Sequence, residues 1–363
     1  MEIALLLNLL QTRPLQVLFC ISKGFDYRQT VQKPSFGDIN MRIINLGFGY
    51  AFSLFVLFLL VFIKHVEANH GPGAGGGTIT VPAITLKSGV FSLGLKTEFT
   101  ELEDISNSKL LNKAVEAGSF DAADRTFLYT MDIGYGVTDD FTIGLNIGWF
   151  KPINFRSSEL EDDEVSVSHA NPDGITDIWL FGKYRFFRGP QGHCAFLAGV
   201  KFPTGVTDRK NTAGEELEAV DQPGSGSYDF ASGLAYSRWF TKDWTMDTSF
   251  QYILRTEGVR DFKVGDRVDW ALATAYQIIP RNKYPNFAPV GEISIRYLFR
   301  DELNGRDERN SGGTTVFLSP GVRVGITPRF GVGTSVSFPV FQNLFGEQQK
   351  TDFKASVGVS YSF

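Results

Sequence analysis

The sequence lacks the long apolar runs that helical membrane proteins carry. Such proteins cross the bilayer with several segments of about 20 apolar residues, but this chain has one apolar run, Ala51 to Ile63, which is too short to span comfortably. Cysteine is equally scarce: Cys20 lies before that run and Cys194 far beyond it, so a disulfide scaffold is excluded. The net charge is −5, and the absence of any basic block argues against nucleic acid as a partner.

The single apolar run has the features of a secretory signal peptide. Arg42 precedes it, and small residues occupy the −3 and −1 positions of a cleavage site after Ala68. We predict a signal peptide over residues 41–68, with a short anchor helix as the alternative. Residues 1–40 have no counterpart in a signal peptide and are expected to be a mis-assigned upstream extension or a dispensable leader. The mature chain would then begin near Asn69.

The C-terminal segment, residues 351–363, alternates between apolar and polar side chains. A period of two across a whole segment predicts a strand with one apolar and one polar face. Lipid on the apolar side and a wet lumen on the polar side fit this pattern, with the final aromatic in an interfacial girdle. Tyr361 and the terminal Phe363 resemble the C-terminal signal of bacterial outer-membrane β-barrel proteins, so we expect them to act as an assembly signal.

The same alternation recurs about twelve times between Val90 and Phe363. Connections after even-numbered segments are mostly tight, with 280–288 as the exception, and connections after odd-numbered segments are longer and polar. Outer-membrane barrels sort their turns and loops in this way, whereas a soluble sandwich has no reason to do so. The segments lie near residues 91–99, 127–137, 141–149, 175–187, 193–203, 227–240, 244–256, 266–279, 289–300, 314–326, 329–339 and 351–363.

The sequence therefore predicts an all-β fold. We expect a single antiparallel up-and-down transmembrane β-barrel over residues 90–363, with about 12 strands, an even strand number and both termini in the periplasm. The segment before it, residues 69–89, is glycine-rich. It is expected to lie in the periplasm as a flexible segment or to enter the barrel as a plug.

Four glycine-containing stretches carry a family resemblance. They are YGVTDD (135–140), GITDIWLFGKYRF (174–186), GVKFPTG (199–205) and QPGSGSYD (222–229). On these stretches most of residues 80–363 resembles the outer-membrane β-barrel transporter family named for the meta-pathway of phenol degradation. The resemblance implies a channel or uptake protein of the Gram-negative outer membrane and does not identify a ligand.

Polar side chains on the inner parity of the strands are the main functional candidates, because lumen side chains tune selectivity in such barrels. In a narrow lumen these charges could pair as a structural network, or they could form a mixed-charge constriction for a small polar or amphipathic solute. The candidates are Asp177, Lys183 and Arg185 in the fourth strand, Asp247, Gln251 and Arg255 in the seventh, Asp269 in the eighth, and Glu292, Arg296 and Arg300 in the ninth.

Two long loops are acidic. They could form a solvated outer surface, an electrostatic funnel that concentrates cations at the mouth, or weak calcium sites. We expect a weak cation preference from them, and we predict no cofactor and no dedicated metal site. The residues are Glu159, Glu161, Asp162, Asp163 and Glu164 in the first loop, and Glu215, Glu216, Glu218 and Asp221 in the second.

The pattern favours an outer-membrane channel or transporter for small solutes over an enzyme. A hydrolase needs a Ser, a His and an orienting group in reach, and neither His169 nor His193 lies beside a patterned Ser at the outer end of a strand. The solute could be a small amphipathic or aromatic compound or a cation. A non-conducting structural or adhesin-like barrel is the alternative, because small barrels can be filled solid. Expected partners are outer-membrane lipids, lipopolysaccharide and the barrel-assembly machinery.

Overall fold

The structure is a computed structural model that describes residues 79–161, 164–280 and 283–363. These residues belong to one compact unit, Glu67–Phe363. Within this part of the chain, no helix is both long enough and apolar enough to cross a membrane. The barrel strands are β1 (Phe91–Leu102), β2 (Arg125–Thr138), β3 (Phe141–Ile153), β4 (Ile178–Arg188), β5 (Gly192–Phe202), β6 (Asp229–Trp239), β7 (Trp244–Leu254), β8 (Arg267–Tyr276), β9 (Asn286–Leu298), β10 (Gly313–Gly325), β11 (Phe330–Leu344) and β12 (Thr351–Ser362).

Each strand pairs antiparallel with its sequence neighbours, and the sheet closes on itself because β12 pairs with β1. The predicted twelve-stranded antiparallel barrel is therefore confirmed. Short connections lie at one end, here called the turn end, where Ser92 pairs with Ser362. The long connections lie at the opposite end, here called the loop end. Closure leaves no unpaired sheet edge, which is the requirement for crossing a bilayer with strands.

The outer face of the barrel is apolar, as the alternation predicts. Leu145 and Phe250 are 37% and 47% exposed, although an aqueous fold would bury such side chains. Aromatic pairs occur toward both ends: Phe91 with Tyr135 at the turn end, ring centroids 4.5 Å apart, and Phe99 with neighbouring aromatic rings toward the loop end. Two aromatic girdles around an apolar band are the outer surface of a transmembrane barrel.

Several strands differ in extent from the prediction. The fourth begins as a separate piece, Gly174–Ile175, which also pairs with β3, and the chain bends before β4 starts at Ile178. The ninth starts and ends earlier than predicted, at Asn286 and Leu298, although the Phe299 N–H still bonds to the Asp266 carbonyl in register with β8. The eighth ends at Tyr276, before its predicted end, and the eleventh continues to Leu344, beyond its predicted end.

The first two long connections fold together into a small structure at the loop end, here called the loop-end subdomain. Helix α1 (Asn107–Ala117) starts at Ser106, whose hydroxyl accepts a hydrogen bond from the Lys109 N–H. The helix packs on a three-stranded sheet through a buried cluster around Leu110 and Phe120. The three strands of this sheet are Ser119–Ala122, Phe155–Glu161 and Glu164–Ala170. Further connections add short strands at Phe262–Lys263, Glu302–Leu303 and Arg306–Asp307, and 3-10 turns at Ala219–Asp221 and Val259–Asp261.

Candidate functional site

Residues 79–88, here called the luminal segment, run inside the barrel. Three of its backbone N–H groups donate to hydroxyl oxygens on three different strands. The pairs are Val81 with Ser249 on β7 (3.1 Å), Ala83 with Ser237 on β6 (2.9 Å) and Leu86 with Thr142 on β3 (2.9 Å). One segment can reach polar side chains of these strands only from within the barrel. The glycine-rich region therefore enters the lumen from residue 79 onward, and residues 69–78 lie outside the described part.

Glu292 holds the far end of the luminal segment. Its Oε1 accepts hydrogen bonds from the backbone N–H and the hydroxyl of Thr80, both at 2.6 Å, and from the Ile79 N–H at 3.0 Å. Glu292 lies in the middle of β9 and is 2% exposed. A buried carboxylate is costly unless several donors satisfy it. The segment supplies those donors, so Glu292 fixes the depth at which it lies.

The luminal segment leaves the lumen at the turn end. There the Ser88 N–H donates to Asp139 Oδ1 at 2.9 Å, and the Gly89 N–H to the Gly136 carbonyl at 2.8 Å. A Cβ at Gly136 would lie 1.9 Å from the Lys87 carbonyl oxygen, so only glycine allows this approach. The YGVTDD stretch therefore binds the C-terminal end of the luminal segment, at the turn end of the barrel.

A buried ionic network lies at the loop end of β4, β5 and β6. Lys201 Nζ is 3.0 Å from Asp177 Oδ2 and 2.6 Å from Asp229 Oδ2. Asp177 also accepts hydrogen bonds from the backbone N–H groups of Gly205 and Ser225, both at 2.9 Å. The sequence analysis selected Asp177 but missed Lys201 and Asp229, although both lie in the stretches that carry the family resemblance.

The other polar candidates of β4 and β7 lie along the same side of the lumen. Lys183 Nζ donates to the Pro82 carbonyl at 3.0 Å, so it contacts the luminal segment directly. Arg185 lies near the turn end, 2.8 Å from Asp140. Asp247 accepts a hydrogen bond from Ser237, and Gln251 lies beside Asp269 in the strand register. Their part in solute passage stays a prediction.

On another part of the wall, single carboxylates each bind two cations. Asp269 on β8 has Arg296 Nε at 2.9 Å and Arg267 Nε at 2.7 Å. Glu98 on β1 has Lys354 Nζ at 3.1 Å and Lys96 Nζ at 3.3 Å. Each of these groups, here called the arginine triad and the lysine triad, carries a net charge of +1. Only Asp269 and Arg296 were selected from the sequence, although Arg267, Lys96, Glu98 and Lys354 share the inner parity.

Arg255 and Arg300 lie beyond the ends of their strands, at the loop end. Arg255 Nη1 donates to the Gly265 carbonyl at 3.0 Å. Arg300 donates to the carbonyls of Glu308 and Arg309 and lies over the Phe345 ring, 5.0 Å from its centroid. Arg300 lies after the last residue of β9. Its hydrogen bonds therefore stabilise the connection between β9 and β10.

Two cavities lie inside the barrel, along the inner faces of β8 to β12 and of β1. One, of about 190 Å³, is lined by Lys96, Glu292, Ser319, Arg323 and neighbouring glycines of β10, β11 and β12. The other, of about 170 Å³, lies closer to the turn end and is lined by Asn286, Arg323, Ser360 and residues around them. Arg323 lines both. The part of the lumen that the segment leaves open therefore runs along β9, β10, β11 and β12.

The acidic loop residues are divided between ion pairs and a carboxylate cluster. Glu216 pairs with Arg260 at 2.9 Å, and Glu215 accepts a hydrogen bond from Asn211. Glu159 lies opposite Ser119 in the small sheet. Of the remaining predicted residues in the first loop, Glu161 and Glu164 bound its hairpin strands, and Asp162 and Asp163 lie outside the described residues.

The carboxylate cluster joins Glu218 and Asp221 to Asp121, a residue that the sequence analysis missed because it lies in a different connection. Their oxygens lie within 4.8 Å of one another. Burial, with repulsion from Asp121, raises the pKa of Glu218 to about 7, and burial raises the pKa of Asp221 well above its usual range. Three such oxygens could share protons or hold a divalent cation such as Ca²⁺.

The predicted assembly residues lie at the turn end. The Phe363 N–H donates to the Phe91 carbonyl at 2.9 Å. The ring centroids of Phe363 and Tyr361 lie 4.9 Å apart. Phe363 is 64% exposed. The last aromatic thus closes the β1–β12 seam and stays accessible.

Comparison with known proteins identifies the family. The family model described as "Putative MetA-pathway of phenol degradation" matches residues 71–363. The chain belongs to this family. The predicted resemblance is therefore confirmed over most of the chain. No curated protein of described function matches it.

Solved structures similar to this family member are outer-membrane barrels. The COG4313 outer membrane channel from Pseudomonas putida F1 is 13% identical with a TM-score of 0.52, covering 82% of this chain and 100% of that one. The NanC porin is 9% identical, TM-score 0.41, covering 74% and 98%. The CymD monoaromatic hydrocarbon channel is 12% identical, TM-score 0.39, covering 77% and 89%. The closed barrel and its apolar outer face place the protein in the bacterial outer membrane, in contact with membrane lipids.

Proposed function

We propose that the protein is an outer-membrane channel for small solutes, narrowed by its own luminal segment. The observation that supports this most is the lumen itself, which has a polar wall and two cavities. A barrel packed solid with side chains would leave no such space.

The size of the cavities supports a size limit for the solute. They measure about 170 and 190 Å³, and a cavity of about 150 Å³ is large enough to bind one benzene molecule. Small amphipathic or single-ring aromatic compounds and inorganic ions fit this space, while oligosaccharides do not. Movement of the luminal segment would widen the passage.

The orientation belongs to the same proposal. The loop end faces the outside and both termini lie in the periplasm, as in barrels whose turns are periplasmic. Lipopolysaccharide contacts the apolar band near the loop end. The barrel-assembly machinery recognises Tyr361 and Phe363, which the turn end presents.

A hydrolase is the weaker alternative. Ser225 contacts Lys201, a pair that can form a nucleophile and its base in some enzymes. Here, however, the Lys201 amine is ion-paired to both Asp177 and Asp229. We therefore propose no catalytic activity.

Conductance in planar bilayers tests the channel proposal. The refolded wild-type barrel is expected to conduct in small steps, and a variant lacking residues 69–88 is expected to conduct in larger steps. Liposome swelling with solutes of increasing size should show the same widening. If neither protein conducts ions or passes a small solute, the barrel is a non-conducting structural or adhesin-like protein.

A further inference from the structure

We propose that the open side of the lumen selects anions and binds small monocarboxylates. This inference rests on the proposed channel function and names the class of solute. The acidic loops predict the opposite, a cation preference. Those loops lie at the loop end, whereas the charges of the arginine triad and the lysine triad line the wall of the lumen.

The open wall of the lumen carries both triads. Each triad holds two cations on one carboxylate, at 2.7 to 3.3 Å, so each leaves one positive charge. The lysine triad also contacts the inner face of β10, where Lys354 Nζ lies 5.5 Å from the centroid of the Phe317 ring. Fixed charges in a low-dielectric lumen concentrate ions of opposite sign.

A row of paired residues crosses the wall from β1 to β10. Lys96 lies opposite Gly358, Gly358 opposite Gly333, and Gly333 opposite Arg323. Two cations therefore flank two residues without side chains, and the cavity of about 190 Å³ lies over this glycine floor. The Lys96 ammonium and the Arg323 guanidinium are the donor types that bind carboxylates most strongly.

Two inner-face carboxylates, Glu292 and Asp247, have hydrogen-bond donors of their own. Glu292 also lines this cavity, but its Oε1 accepts hydrogen bonds from Ile79 and Thr80 of the luminal segment. Asp247 bonds to Ser237, which the segment covers. The segment thus supplies donors to the Glu292 carboxylate of the open wall, whereas Lys96 and Arg323 line the same cavity. The cavity volume limits the body of the solute to about one aromatic ring.

Reversal potentials and blocking by benzoate test the proposal in the refolded full-length mature barrel. In a tenfold KCl gradient the wild type is expected to prefer chloride. Benzoate should reduce the current, and benzyl alcohol, which has the same ring without the charge, should not. Arg323→Gln and Lys96→Gln should each weaken the benzoate block about tenfold or more, since each removes a charged donor to the carboxylate.

Matched controls separate charge from folding. Lys151→Gln removes a cation from the exposed side of β3 and should leave selectivity and block unchanged. Gly333→Val adds a side chain that would meet Arg323 Cγ no closer than 3.9 Å at its Cβ, so it should fold, keep chloride preference and weaken benzoate block. A cation preference in the wild type, or an equal effect of Lys151→Gln, overturns the proposal. Absence of any conductance would instead contradict the channel function.

Discussion

At the scale of single residues, the interior of this barrel is organised by shared carboxylates. Asp177 and Asp229 share Lys201, and Asp269 and Glu98 each bind two cations. Glu292 instead binds backbone donors of the luminal segment. Buried ion pairs contribute little net stability but are expensive to break one partner at a time. Single substitutions that remove one of these charges should therefore destabilise the contacts of its remaining partners.

Removing the Glu292 carboxylate should release the luminal segment. Glu292→Ala leaves the N–H groups of Ile79 and Thr80 without their acceptor, which should weaken docking by roughly 1–3 kcal/mol. We expect larger conductance steps and faster protease cleavage within residues 79–88. Ser319→Ala is the control, because Ser319 faces Glu292 in the register but donates to Ser337. Unchanged cleavage in Glu292→Ala would contradict the anchoring role.

The two faces of a strand should differ in their tolerance of charge. Leu145 is exposed on the outer face, while Asn146 donates to Asp132 at 2.7 Å on the inner face. Leu145→Arg should cost roughly 2–4 kcal/mol near the bilayer midplane, and Asn146→Arg should cost much less because Asp132 can pair with it. Denaturant unfolding in lipid vesicles measures both. Equal losses would mean that the faces are misassigned.

At the scale of elements, the barrel strands could be predicted because each has one face in lipid and one in the lumen. The alternation from Phe141 to Trp149 is an example, since its apolar members face outward. The bend before β4 could not be predicted, because it depends on Asp177 binding Gly205 and Ser225 from distant connections. The position of the luminal segment was left open for the same reason: its backbone bonds to scattered Ser, Thr and Glu side chains.

The candidate residues on regular strands could be predicted from the sequence, and those in the connections could not. The alternation of inner and outer positions selects Asp269 and Arg296. Applied to every strand, it would also have selected Arg267 and Lys354. Parity alone does not show that Arg300 lies beyond the end of β9, where its guanidinium donates to the carbonyls of Glu308 and Arg309. Contacts between separate connections, as in the carboxylate cluster, leave no signal in the local pattern.

The loop-end subdomain should loosen as the pH rises. Partial desolvation, with repulsion from neighbouring carboxylates, raises the pKa of Glu218 from 4.5 to about 7, although part of this residue stays exposed to solvent. Between these two pH values the folded state keeps a proton that the unfolded state has released. The stability that this pKa difference gives to the folded state is complete below pH 4.5 and is lost as the pH rises through 7. Asp121, Asp221, Glu159 and Glu308 surround Glu218 and add to the repulsion.

Protease cleavage of residues 204–226 measures this effect, with chelator present to exclude divalent cations. Cleavage should be slow at pH 5.5 and faster at pH 8.5. Glu218→Gln should reduce the difference, whereas Glu215→Gln, which lies outside the carboxylate cluster, should retain it. A wild-type rate that does not change with pH would contradict the prediction.

The end of β12 should determine assembly. Phe363 closes the seam against Phe91 and is exposed at the turn end. Deleting Phe363 should reduce the amount of heat-modifiable barrel in the outer membrane. Phe240→Ala, which removes another exposed aromatic near that end, should assemble normally. Normal assembly of the truncated protein would contradict the role of Phe363 as a signal.

At the scale of the whole molecule, the protein is a closed outer-membrane barrel with part of its own chain inside. The segment covers the side of the lumen formed by β3, β4, β6 and β7, and the cavities lie along β9 to β12. In the proposed channel, solute passage would depend on the space beside the segment and on whether the segment moves. The barrel would supply the wall, and the luminal segment would set the width.

A reversible cross-link of the luminal segment tests this account most directly. Val81→Cys and Ser249→Cys, with Cys194→Ser, place one thiol on the luminal segment and one on β7, where the Val81 backbone N–H donates to the Ser249 hydroxyl at 3.1 Å in the native protein. Single-channel conductance would be recorded with the disulfide formed and again after its reduction. The account predicts small, steady conductance when the segment is tethered, and more frequent or larger openings after reduction. Identical conductance in both states, or none in either, would contradict a channel whose width is set by its luminal segment.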